Sequence, residues 1–177
     1  MLQDNVMVKI KSIRRETAMI PVDPVSANMD PENNDYDVPQ ENGTEEPEVL
    51  EMISSGSLFM RDDCIVLSYA ETELTGMEGA QTEISFPMKT PGLVSMCRTG
   101  TVTTTLVFEQ GKRSHCVYET PFMPFEVCVH TFKVVNRLVD NGTLELDYTI
   151  EIRGACAERT KLSVTITPND PKNGSVS

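Results

Sequence analysis

The sequence predicts an all-β protein, an antiparallel meander closed into a barrel, and three observations carry that prediction. Apolar and polar residues alternate with period two from end to end, and no apolar stripe of helical period appears. Tight-turn dipeptides separate the alternating runs. No helix stands between them to cover a sheet or to cross between parallel strands, so successive strands pair as hairpins. About nine or ten strands in such a series would leave two open edges, and closing the sheet removes both most simply. A two-sheet sandwich is the alternative architecture.

The elements follow in order. Val6, Val8 and Ile10 share one face of the first strand, with Lys9 and Lys11 on the other. Further strands are expected over roughly 49–60, 64–72, 81–87, 93–98, 101–109, 113–120 and 124–138. Over 143–153, Leu144, Leu146, Tyr148, Ile150 and Ile152 oppose Glu145, Asp147, Thr149, Glu151 and Arg153. Leu162, Val164 and Ile166 repeat the pattern against Lys161, Ser163 and Thr165. Strands of this kind have one buried and one wet face. Asp62-Asp63, Pro91-Gly92, Thr99-Gly100, Gln110-Gly111 and Asn141-Gly142 supply the turns, where a positive φ or a preset proline is wanted. The chain thus divides into a first barrel strand within 1–20, an insertion over 21–48, the rest of the barrel over 49–167, and a tail over 168–177.

The insertion holds most of the protein's charge. The net charge is −12, from 27 acids against 15 bases, and residues 21–51 contain ten acids and no Lys or Arg. Five prolines and few large apolar groups leave the segment unable to offset its ordering entropy, so a flexible acidic loop is expected. Asp30 to Glu41 places acids at several positions of a calcium loop, but Asp35 stands where the turn glycine is required, and a solvated loop is the better reading. Lys9, Lys11, Arg14 and Arg15 on the preceding strand offer the acids a neighbour of opposite sign. The acidity argues against a partner with a phosphate backbone.

No apolar run approaches the ~20 residues that span a bilayer, and residues 1–11 lack the apolar core of a signal peptide. Five cysteines are odd in number and widely spaced, with no C-x-x-C. They read as reduced thiols of a cytoplasmic protein without a structural metal. Asn42, Asn141 and Asn173 open N-x-S/T triplets, but Asn-Gly is first of all a turn dipeptide.

The strands also carry a pattern. Leu67-Ser68-Tyr69-Ala70-Glu71-Thr72-Glu73-Leu74-Thr75-Gly76-Met77-Glu78-Gly79, with Thr82 after it, resembles a tyrosine–glutamate–threonine–glycine signature. Arg98-Thr99-Gly100, Phe108-Glu109-Gln110-Gly111, Tyr118-Glu119-Thr120-Pro121-Phe122 with Phe125, and the hairpin at Asn141-Gly142 with Tyr148 follow in the same order. Together they are similar to the YwiB-like family of small bacterial proteins, a domain of unknown function with a calycin-type, lipocalin-like β-barrel. Met123 departs from the pattern, standing where a glycine is expected. The resemblance implies a fold and a bacterial cytoplasmic setting; it implies no activity, cofactor or catalytic residue.

Two histidines offer little chemistry. His130 shares a strand face with Glu126 and Cys128, a surface pair with no nucleophile tied to it. His115 and Cys116 are strand neighbours and point to opposite faces. The interior offers more. Alternation from Ile65, Leu67 and Tyr69 carries Glu71 inward; Val94 and Met96 carry Arg98; Cys116 and Tyr118 carry Thr120 to the rim. Tyr69, Glu71, Arg98, Tyr118 and Thr120 therefore form a candidate ligand site at one end of the barrel, as apolar surface with a few convergent polar groups. The competing reading makes Glu71 and Arg98 a structural ion pair in a barrel filled by its own side chains. Phe122, Met123, Pro124 and Phe125 are expected to plug one barrel mouth, with an exposed lip as the alternative. The function these features favour is non-catalytic binding of a small, partly apolar ligand. The alternative is a protein-interaction module using the acidic loop or a strand edge. Neither needs a cofactor, a nucleic acid or a membrane.

Overall fold

The computed structural model describes residues 3–17, 46–75, 77–152 and 156–169. They form ten strands in sequence order: β1 (Gln3–Thr17), β2 (Glu48–Arg61), β3 (Cys64–Ala70), β4 (Gln81–Pro87), β5 (Leu93–Thr99), β6 (Thr103–Glu109), β7 (Arg113–Glu119), β8 (Phe125–Arg137), β9 (Thr143–Ile152) and β10 (Cys156–Pro168). Each pairs antiparallel with the next, and β10 pairs with β1 from Val6↔Pro168 to Thr17↔Ala157, closing the barrel. The meander and its closure are as the sequence predicts, and the sandwich is excluded. Because β1 and β10 pair with each other, neither terminal strand offers an open edge to a partner. Among the described residues, no helix is long and apolar enough to cross a membrane.

The strand boundaries differ slightly from those expected. β1 stops at Thr17, β2 already begins at Glu48, and β10 runs through Pro168. The acidic segment over 18–45, with its calcium-like stretch, and residues 170–177 lie outside the described residues.

Turn chemistry sets the hairpins. Asp62 and Asp63 both have positive φ, 51° and 63°, the paired left-handed conformation that matches the twist of the flanking strands. Gly142 combines φ 76° with a close approach, since a Cβ there would stand 2.6 Å from the Ile166 carbonyl oxygen. The meander sorts its connections between two ends. Residues 62–63, 88–92, 110–112 and 138–142 turn at one end, while 18–47, 71–80, 100–102, 120–124 and 153–155 connect strands at the other, here called the loop-bearing end.

Val8, Leu67, Ile84, Val94, Leu106, Phe108 and Leu144, all with no exposed surface, fill the middle of the barrel. Two departures from plain alternation shape it. A bulge in β8 sets Thr131 opposite Tyr148 and Lys133 opposite Asp147, so the inward residues change from Val129 and Thr131 to Val134 and Leu138. The β6–β7 seam is the shortest, with only Thr103↔Glu119 and Thr104↔Tyr118 in register.

Candidate functional site

Register builds the site. Gly56 of β2, Tyr69 of β3, Thr82 of β4, Arg98 of β5, Thr104 of β6, Tyr118 of β7 and Phe125 of β8 are successive cross-strand partners, each directly opposite the next. The row runs across six hydrogen-bonded pairs near the loop-bearing end. Cross-strand neighbours on one face stand close enough to touch, so polar residues scattered through the sequence meet inside the barrel. Gly56 is required by crowding: a Cβ there would lie 2.7 Å from both the Ser68 carbonyl oxygen and Val8 Cγ2.

Glu71 leaves the end of β3 and turns back over this row. Its backbone N–H donates to the Ala80 carbonyl at 2.8 Å, and Thr82 Oγ1 donates to its Oε1 at 2.5 Å. Its side chain is only 2% exposed. Arg98 Nε stands 3.6 Å from the same carboxylate oxygen, with its side chain 14% exposed, but this nitrogen makes no hydrogen bond. The sequence-derived pairing of Glu71 with Arg98 is therefore present as an ion pair in a loose form.

Three of the chain's four tyrosines, Tyr69, Tyr118 and Tyr148, lie within electrostatic reach of Arg98, and Tyr118 is hydrogen-bonded to it. Burial raises the Tyr118 hydroxyl pKa above the usual phenol range, opposed by the nearby Arg98 charge. Tyr148 of β9 is raised by burial and opposed by Arg98 in the same way. Tyr69 is pushed up by burial and by Glu71, with Arg98 again opposing. For Arg98, burial alone would lower the pKa, but Tyr118, Tyr148, Tyr69 and Glu71 outweigh it and the net direction is upward. Tyr118 stacks on Phe125 with ring centroids 5.4 Å apart, and Tyr148 packs against Phe108 at 4.7 Å. The inward positions of β1 end with Arg14, opposite Thr160, which in turn lies opposite Tyr148. Arg14 lies 3.8 Å from Glu158 and 3.9 Å from Glu48.

Buried polar atoms without a partner gather in the same place. Besides Arg98 Nε, they are Thr104 Oγ1, whose residue lies opposite both Arg98 and Tyr118, and Thr131 Oγ1, whose residue lies opposite Tyr148. Thr72 Oγ1, next to Glu71 in sequence, is the fourth among the described residues. Buried polar groups in native proteins nearly always find partners, so this concentration singles out the interior near Arg98, where Cys116 is the nearest partner of Thr104.

Of the five residues the sequence singles out, Tyr69, Glu71, Arg98 and Tyr118 converge. Thr120 does not join them: β7 ends at Glu119, and the Thr120 hydroxyl donates to the Met123 carbonyl at 2.8 Å and accepts from the Met123 N–H at 3.2 Å. It fixes the β7–β8 turn. That turn carries Phe122, 96% exposed, and an exposed Met123 outward as a lip, while Phe125 turns inward onto Tyr118, so only the last residue of the cluster behaves as the expected plug. Thr104, Thr131 and Tyr148 belong to the site but escape sequence reasoning: Thr104 meets Arg98 through the β5–β6 register, Thr131 meets Tyr148 through the β8–β9 register, and Tyr148 comes near Arg98 only across the curved barrel.

Outside the barrel, His130 packs its ring on Phe132 at 4.4 Å. His115 lies opposite Cys128, a cross-strand neighbour that the sequence does not reveal. Arg113 bonds Glu151 at 3.0 and 3.1 Å beside them. Among the described residues no three metal-ligating side chains converge, and Cys64, Cys97, Cys116 and Cys128 are free. A shallow cavity of about 350 Å³ lies on the outer face around Ile13, Lys11, Lys133 and Lys161.

A family model described as a domain of unknown function (DUF1934) matches residues 37–164. No curated protein matches the chain. Among solved structures, the crystal structure of the ywiB protein from Bacillus subtilis is similar, with 15% sequence identity over 92% of each chain and a TM-score of 0.61. At that identity the likeness is one of fold.

Proposed function

The chain belongs to the DUF1934 family, and on that premise we propose that its barrel binds a small, partly apolar ligand at the loop-bearing end, in the cytoplasm and without catalysis. One observation carries this reading. Three of the four buried polar atoms without partners among the described residues, Arg98 Nε, Thr104 Oγ1 and Thr131 Oγ1, belong to residues grouped around Arg98, Tyr118 and Tyr148. A purely structural interior gains nothing from leaving donors and acceptors unmatched. A binding site does, because a ligand can complete them. The apolar component has its surroundings in the stacked Tyr118–Phe125 pair and the core beneath.

Native mass spectrometry of the protein purified from its own host tests the proposal. A retained small molecule that Arg98→Met releases from a folded chain is the expected result. A bare wild-type mass across independent preparations, together with no binding from a library of small amphiphiles, counts against it.

Exposure of Phe122, Met123 and Leu74 on two loops at the same end favours a second reading, an interaction surface for a protein partner. Co-purification of one protein in fixed stoichiometry, lost in Phe122→Ser, would favour that reading instead.

A further inference from the structure

We infer that the polar group of the ligand is a carboxylate, and that the interior site takes a short organic monocarboxylate with its anion on Arg98 and its apolar part directed toward the loops. The inference rests on the ligand-binding reading above and specifies its chemistry.

The geometry of the protein's own ion pairs supplies the argument. Arg159 grips Asp147 through two contacts of 3.0 Å, Arg113 grips Glu151 at 3.0 and 3.1 Å, and Arg61 reaches Glu83 at 2.7 Å. Arg98 and Glu71 form a more deeply buried pair than any of these, yet approach only to 3.6 Å and share no hydrogen bond. Burial ordinarily demands the tightest pairing, because a desolvated charge has no water to fall back on. Glu71 is engaged instead by Thr82 Oγ1. The guanidinium is thus neutralised at a distance: Tyr118 hydrogen-bonds it, and among the described residues no carboxylate grips its planar fork of donors.

The surroundings choose the acceptor. Tyr118 and Tyr148 lie within electrostatic reach of Arg98 and remain protonated phenols at neutral pH, able to donate to an anion, while Tyr69 is engaged by Thr82. Arg98 is the nearest positive charge to Tyr148, with Arg14 beyond it already paired with Glu158 and Glu48. A carboxylate matches the flat guanidinium in two parallel bonds, and an amide or alcohol does not. Glu71 already balances one positive charge, which suits a single added negative charge better than two. Beneath the row, Leu67, Ile84, Leu106 and Phe108 are completely buried, so a long tail has no space to descend. A short apolar body pointing outward meets Phe125 and the exposed Phe122 lip.

The test is calorimetric titration of the full-length protein with hexanoate, hexanamide and hexan-1-ol at neutral pH. Hexanoate is expected to bind at least about tenfold more tightly than either neutral analogue, the worth of one charge-assisted hydrogen bond. Arg98→Lys, which keeps the charge but removes the fork, should erase most of that preference. Should the Arg98 variant not fold, Tyr118→Phe serves in its place and should weaken hexanoate several-fold while leaving hexanamide unchanged. Equal affinity for all three compounds would leave ligand binding standing and overturn the carboxylate. Binding of none would remove both readings.

Discussion

Thr82 Oγ1 donates to Glu71 Oε1 at 2.5 Å, and this bond holds the buried carboxylate off the arginine that balances it. Glu71 owes its position to a neighbour of the same barrel face and to the Ala80 carbonyl, and its charge to Arg98. Position and charge compensation therefore come from different residues and respond to different substitutions.

Arg98→Met removes the counter-charge and leaves Glu71 buried alone. We expect a loss of about 3–5 kcal/mol, the usual penalty for breaking one side of a buried pair. Adding Glu71→Gln should restore part of it. Urea denaturation of the two variants beside the parent measures both effects. An Arg98→Met midpoint equal to the parent's would show that water already solvates Glu71.

The tyrosines predict behaviour at high pH. Burial raises the Tyr148 and Tyr118 pKa values, and with Glu71 that of Tyr69. A raised folded-state pKa means that its stabilising contribution is complete below the ordinary phenol value of about 10 and is lost as pH rises toward the folded values. Phenolate absorbance followed together with circular dichroism should show most tyrosine ionising only as the barrel unfolds. Ionisation of all tyrosines at the ordinary phenol pH in an intact barrel would contradict the buried cluster.

The β2–β3 turn is open to improvement. Asp62 and Asp63 occupy left-handed conformations that suit the dipeptide Asn-Gly better. The double substitution D62N with D63G should stabilise the protein by about 0.5–1 kcal/mol, the relief of left-handed strain less the larger unfolded-state entropy of glycine. A thermal melt decides it, and a lowered midpoint would show that the aspartates make contacts of their own.

Because the β6–β7 seam has only Thr103↔Glu119 and Thr104↔Tyr118 in register, it should open first. Native-state hydrogen exchange is expected to be faster in β7 than in β9, which pairs with neighbours along ten residues of β8 and ten of β10. Uniform protection around the barrel would refute this. The seam contains two members of the candidate site, so local opening there also gives a small molecule a path inward.

Local pattern makes much of this legible. Alternation is a property of each strand by itself, so it places Tyr69, Arg98 and Tyr118 on the inner face, and simple continuation carries Glu71 with them. The same continuation fails at Thr120, because β7 has already ended and a hydroxyl beside a proline turn bonds the nearest backbone. It also misses the β8 bulge, since one added residue leaves no mark on composition while exchanging the two faces. Tyr148 shares its face with Leu144 and Leu146 in the sequence pattern, but its meeting with Arg98 depends on how β9 lies across the closed barrel from β5. Thr104 and Thr131 look like ordinary strand threonines until register sets them against Arg98 and Tyr148. Convergence across a barrel is non-local information, and a single sequence carries it only through the whole fold.

The pairing of β1 with β10 has a practical side for protein engineering. Asn169 binds Asn5 through its backbone N–H at 3.3 Å and its side chain at 3.0 Å, so the first and last strands finish side by side. A short linker there, with new termini cut into the segment between Thr17 and Glu46, would give a circular permutant that keeps every strand register and every hairpin except that of β1 with β2. In that rearranged chain β10 and β1 become consecutive, and the long-range closure of the barrel is recast as one more neighbour-to-neighbour hairpin. The slowest contact to find in folding would be exchanged for the pairing of β1 with β2, whose ends the acidic segment tethers in the natural order.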